Sequence, residues 1–220
     1  MNRSPSPLGT LYLTYARLLD FPTAAVQQAA RDEQTVADLT ELHVSAGYPA
    51  PPPFRMASRA RPLEQTYIAA FEVGVPEPPV PLYETAYLRD DAEQRKHVLE
   101  EIVRFYEFFD LRLGDRPVEM PDHLVVELEF MAALAEMEQL AAAAGDPGAA
   151  YQLAQRDFLA RHLHPLVVQV VKRHVPRGWY TGVLRGLEAL TREHHARLPA
   201  AHGTGRSGPP PLAPVVPLIT

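Results

Sequence analysis

Proline decides where this chain must break, and between the breaks apolar residues return at three- and four-residue steps. Leu8, Leu11, Tyr12, Tyr15, Leu18 and Leu19 mark an amphipathic helix that Phe21-Pro22 ends. Thr23 is placed to cap a second helix carrying Ala25, Val26, Ala29, Val36 and Leu39. Proline-rich loops follow near residues 47–62 and 74–82, because proline removes a backbone donor and blocks helix continuation. Between them, residues 63–73 carry Tyr67 and Phe71 four apart on one helical face. The same period predicts helices over residues 91–109, 122–143, 147–163, 165–174 and 178–197. In the first of these Val98, Ile102, Phe105 and Phe109 form a stripe; in the last, Tyr180, Val183, Leu184, Leu187 and Leu190 do. The run Leu166-Val-Val-Gln-Val-Val171 favours a strand by propensity, yet no partner strand is evident, and Pro165 suits a first helical position. The expectation is an all-α, single-domain helical bundle over residues 1–197. Residues 198–220 hold six prolines and three glycines without period, and are expected to form a disordered tail.

Composition excludes several functions. A net charge of -6 argues against nucleic acid, whose phosphates need a basic footprint. No run approaches the ~18 apolar residues that span a bilayer. Cysteine is absent, which removes disulfides, thiol nucleophiles and cysteine-bound metals together. The opening Met1-Asn-Arg-Ser-Pro-Ser-Pro7 lacks the apolar core of a secretory signal, so a cytoplasmic location is expected. Nine histidines invite a metal reading, but His162-x-His164 and His194-His195 lack the i, i+4 helical spacing, and there is no Glu-x-x-His. No metal is expected. The segment Gly203–Gly208 fails as a phosphate loop, because Pro209 stands where its lysine should be. Glu127 and Glu129 point about 200° apart on a helix, so they cannot attack one substrate atom together.

One segment is chemically concentrated: Met120-Pro-Asp-His-Leu-Val-Val-Glu-Leu-Glu-Phe-Met131. Pro121 and Asp122 open a helix, and His123 sits in its first turn. From residue 117 to 155 there are seven acids and no lysine or arginine. A helix at once acidic and apolar fits a partner at once cationic and apolar. The same residues also read as an ordinary helix start, with Asp122 satisfying orphan N–H groups. A carboxylate–histidine catalytic site at Asp122 and His123 is a third reading, with no second catalytic constellation in view.

Three segments in order, Tyr67-Ile-Ala-Ala-Phe71, Pro81-Leu-Tyr-Glu-Thr-Ala-Tyr87 and Pro121-Asp-His-Leu-Val-Val-Glu-Leu-Glu-Phe-Met131, resemble the TorD/DmsD/NarJ family of molybdoenzyme chaperones. Within it, the chain looks most like the chaperones of ethylbenzene dehydrogenase, dimethylsulfide dehydrogenase and selenate reductase-type enzymes. The resemblance implies an all-helical fold, no catalysis and no cofactor of its own, the molybdopterin belonging to the client enzyme. It implies a cytoplasmic partner, the precursor of a catalytic subunit, held by its twin-arginine leader or its apo form until the cofactor is inserted. A monomer or a domain-swapped dimer fits equally. The alternative is a non-catalytic adaptor subunit retained in the mature redox complex. The peptide-binding residues expected are Tyr67, Phe71 and Tyr83 as an apolar groove, Asp122 and His123 at its rim, and Glu84, Pro121 and Glu127 beside them. An acidic surface would complement the leader's arginines, which grip carboxylates through paired N–H donors.

Overall fold

The computed structural model describes residues 4–58, 61–88, 91–112, 120–173 and 178–199, and these form an all-α fold. Ser6 caps the first helix, its side chain accepting from the Gly9 N–H, and Pro7 occupies the first position of α1 (Pro7–Leu19). The single helix expected after Thr23 is two: α2 (Ala24–Ala29) and α3 (Glu33–Ser45). Asp32 divides them, because its backbone is extended and its carboxylate accepts from the Gln34 N–H to start a new helix. The short α4 (Leu63–Tyr67) runs into a π turn over Ile68–Glu72, and a 3₁₀ turn covers Glu84–Tyr87.

Asp91 caps α5 (Ala92–Phe108). Then come α6 (Leu124–Ala143), α7 (Ala149–Phe158), a second π turn (Leu159–Leu163), α8 (His164–Lys172) and α9 (Trp179–Arg197). The β-branched run lies within α8, as its proline position predicts. Residues 200–220 of the tail lie outside the described residues.

Helix α6 is the axis of the bundle. From Leu124 to Leu128 every side chain is buried, so apolar contacts surround the helix rather than lining one face. Its acids therefore do not form the acidic surface expected of them. Glu136 accepts from the Ser6 N–H at 2.7 Å and Glu138 from the Gln152 and Gln155 side chains, each at 2.7 Å, tying α6 to the start of α1 and to α7.

α1 lies against α6 at close range: a Cβ on Gly9 would stand 3.0 Å from the Ala132 carbonyl oxygen. Phe130 sits at the centre, its ring 4.7 Å from Phe158 and 4.8 Å from Tyr106. On the far side α9 covers α1, and Gly182 leaves the space that Phe54 of the proline-rich loop fills.

Candidate functional site

The residues expected to bind a peptide divide between two places. Tyr67 and Phe71 pack edge-on against each other with ring centres 5.1 Å apart, and both meet Tyr180 of α9, at 5.9 and 5.1 Å. They are 2% and 3% exposed. The open aromatic groove expected from the sequence is absent, because α9 closes over that face. Burial pushes the Tyr67 hydroxyl far above the ordinary phenol range, with Glu72 and Asp20 adding to it.

The second place is the entry to α6. Residues 82–85 run antiparallel to residues 122–124: the Leu124 N–H donates to Leu82 O at 2.8 Å and the Glu84 N–H to Asp122 O at 3.0 Å. The helix begins at Leu124 rather than Asp122, and His123 is its cap, Nδ1 accepting from the Val125 N–H at 3.3 Å. Tyr83, half-buried, lays its ring edge-on to His123 at 4.8 Å. Neither Asp122 nor His123 stands at a rim: they are 0% and 5% exposed. Asp122 reaches back to Thr85 instead, accepting from its N–H at 2.9 Å and its hydroxyl at 2.6 Å. The half-buried Pro121 contributes its carbonyl, which accepts from the Tyr106 hydroxyl at 2.8 Å.

Glu127, one turn into α6, is the least ordinary group here. It is completely buried, and neither carboxyl oxygen has a hydrogen-bond partner among the described residues. Burial drives its pKa well above the usual carboxylate range, and the neighbouring charges of Glu84 and Asp122 push it the same way. Both effects favour the neutral acid form of Glu127. Asp122 Oδ1 is likewise buried without a partner.

Glu84 does have one: His162 of the second π turn places Nδ1 3.0 Å from its Oε2. The other ring nitrogen of His162 stands 3.8 Å from Glu101, which Arg161 grips at 2.6 Å. The arrangement is a sealed group of three carboxyls with one histidine contact and spare acceptor capacity. Among the described residues no three His, Asp or Glu side chains gather in a metal-binding arrangement. What the group can do chemically is accept donors, and a guanidinium offers five in a planar fork.

A three-segment likeness and an all-α bundle with α6 as its axis are what a family assignment must match. The family model described as the nitrate reductase delta subunit covers residues 28–172, which takes in every one of these site residues. The chain belongs to that family. This bears out the resemblance carried by the three segments.

Among relatives, the "Selenate reductase assembly chaperone protein" of Thauera selenatis is 33% identical over 89% of this chain and 91% of its own length. The "Chlorate reductase assembly chaperone protein" of Ideonella dechloratans is 44% identical over 46% of this chain and 51% of its own. The "Perchlorate reductase assembly chaperone protein" of Dechloromonas aromatica is 33% identical over 65% and 64%.

In this member of the nitrate reductase delta subunit family, His162 is the site residue that sequence reasoning passed over. It was weighed only as half of a metal pair, and its neighbour at the site, Glu84, is 78 residues distant. No local spacing announces such a contact. His194, also read as a metal candidate, is buried against Tyr12 at 2.8 Å.

Proposed function

We propose that this chain is an assembly chaperone for a molybdenum-containing redox enzyme. It binds the precursor of the catalytic subunit in the cytoplasm, before cofactor insertion and export, and catalyses no reaction itself. The observation that carries this reading is end-to-end similarity, at 33% identity, to a protein named as the assembly chaperone of selenate reductase. Among the described residues no helix is long and apolar enough to cross a membrane, which fits a protein that meets its client before export.

The recognition group in this reading is Tyr83, Glu84, Pro121, Asp122, His123 and Glu127, with Tyr67 and Phe71 as its apolar floor. It is reached when residues 80–88 lift from the entry to α6. The unpartnered oxygens of Asp122 and Glu127 support this, because they are the acceptors that two adjacent arginines of a leader would fill. The segment that covers them is held by the Val80 N–H to Ala70 O bond, the pair between 82–84 and 122–124, the Thr85 contacts, the Glu84–His162 contact and the burial of Val80 and Leu82. Lifting it costs no core helix. A guanidinium arriving at Glu127 would also draw off its proton, so capture strengthens as pH rises and the carboxylate becomes available.

Co-purification of the tagged chain with an untagged precursor tests the assignment. Glu84→Gln with Glu127→Gln keeps shape and removes both ionisable groups. The expected outcome is loss of most captured precursor by a chain that still unfolds cooperatively. Undiminished capture by the folded double variant assigns the acids to architecture and moves the client elsewhere.

A further inference from the structure

His162 is 1% exposed, and its ring is packed between two aromatic ones, Phe158 of α7 at 5.1 Å and Phe105 of α5 at 5.8 Å. Each of its nitrogens faces a carboxyl. Nδ1 stands 3.0 Å from Glu84 Oε2 on the 3₁₀ turn, and Nε2 stands 3.8 Å from Glu101 Oε1 on α5. Nε2 has no hydrogen-bond partner among the described residues. A neutral ring that donates from Nδ1 turns a bare lone pair toward Glu101, whereas the imidazolium offers an N–H to both carboxyls. Burial works against that charge, so the imidazolium depends on keeping both of its acids.

Those two acids are not equally committed. Glu101 is held from its other side by Arg161 at 2.6 Å, whose guanidinium lies 5.1 Å from the Phe105 ring. For Glu84, His162 is the one ion-pair partner among the described residues, and behind it stand Asp122 and Glu127, the other acids of the group. Glu84 also belongs to the covering segment, so its contact with His162 ties that cover to the bundle. A second clasp lies apart from the acids. Arg173, at the end of α8, stands over the Tyr87 ring at 5.3 Å and 3.6 Å from Glu77.

We propose that His162 is a positioning residue for the client: its imidazolium occupies Glu84 in the closed form, and an arginine of the client replaces it there. The inference rests on the chaperone reading and adds how that site is regulated. Left with Glu101 alone, which Arg161 already neutralises, the buried imidazolium loses its support and its proton passes to solvent. Capture and loss of that proton are therefore linked, and acid that keeps His162 charged weakens capture. Glu127 gives up a proton on the same event, and a variant separates the two contributions.

Calorimetric titration of the full chain with a twin-arginine leader peptide, in buffers of differing ionisation enthalpy, counts the protons released on binding. His162→Asn puts an amide N–H where Nδ1 stands and takes up no proton. At about pH 6, within the range where histidine side chains titrate, the parent should release more protons than this variant. Its affinity should also rise more steeply with pH, by up to about tenfold per pH unit for the one linked proton. Glu101→Gln strips the second carboxyl from the imidazolium and should lower the count in the same direction; it decides the matter where His162→Asn does not fold. Arg173→Ala loosens the cover at Glu77 and Tyr87 without touching Glu84, and should leave the count at the parent value. Equal counts in the parent and the folded His162 or Glu101 variant overturn the inference and leave the chaperone reading standing. A count lowered as much by Arg173→Ala overturns it too, because any loosening of the cover would then suffice. A folded parent chain that binds no leader at any pH removes the reading itself, and the inference with it.

Discussion

Beneath α9, Tyr12 and His194 close on each other at 2.8 Å, as do Tyr15 and His43; at the entry to α6, Glu127 lies just as deep with neither oxygen partnered. The two regions answer burial differently. In the first, burial lowers His194 to about 3 and raises the Tyr12 hydroxyl, so a neutral ring and a neutral phenol share a hydrogen bond. Each group supplies what the other lacks. In the second, three acids crowd together, and burial and the neighbouring carboxylates favour the protonated form of Glu127. A buried polar group without a partner costs free energy. The Tyr–His pairs are what a chain does to hold itself together. In the proposed reading, the acidic group keeps its acceptors for a partner that arrives from outside.

Breaking the satisfied region should have the largest effect. Tyr12→Phe strands the His194 acceptor in the core, and should cost about 1–3 kcal/mol. For a chain of this length that lowers the melting temperature by about 2–4 °C per kcal/mol. Precursor capture should survive at temperatures where the variant is folded.

The next effect has the opposite sign. Glu127→Gln should stabilise the chain by on the order of 1 kcal/mol at pH 8, since it removes the cost of holding a buried acid protonated. An acid whose folded pKa is raised gives its fullest stability below the unfolded value near 4.5, and loses it as pH rises toward the folded value. The gain of the glutamine variant should therefore shrink to nothing below about pH 4.5. Urea titrations across pH read this directly, and an equal gain at every pH would show that charge is not the cause.

Histidine supplies a third contrast. Burial lowers the pKa of His194 to about 3 and lowers those of His43 and His164 as well. A depressed histidine gives stability above its unfolded value near 6.5 that is lost as pH falls toward the folded one. Parent-chain stability should thus decline on acidification below about pH 6.5, and His194→Gln should flatten part of that slope.

Thr85→Ala should have the smallest effect on the fold, about 1 kcal/mol, because it removes only the hydroxyl bond to a half-covered segment. It should nonetheless increase precursor capture, because the cover over Asp122 and Glu127 is loosened. A variant that loses capture would mean that the closed form, with Thr85 bonded to Asp122, is the one that binds.

Much of the fold was legible because helix formation is a local matter. Periodic apolar residues, Ser6 and Asp91 as caps, and Pro165 as a first helical residue fix where α1, α5 and α8 lie. The division at Asp32 was missed because Val36 and Leu39 continue the apolar rhythm across it, and only the Asp32 side chain on Gln34 turns the chain. That the candidate residues around α6 are neighbours was legible, and their setting was not. Asp122, His123 and Glu127 do stand together with Tyr83 and Glu84, but acids were read as exposed because acids usually are. That α6 is enclosed all round depends on α1, α5 and α7 packing about it, which no single stretch of sequence encodes. The contact of Glu84 with His162 is of the same long-range kind.

Amide hydrogen exchange on the chain with and without a twin-arginine leader peptide tests the central claim most directly. The amides to follow are Glu84 and Leu124, which donate to Asp122 O and Leu82 O in the closed form. Opening of the acidic group to the leader predicts that both exchange faster when the peptide is bound, while the Tyr12–His194 region is unchanged. A bound peptide that leaves those two amides as protected as before would contradict the account.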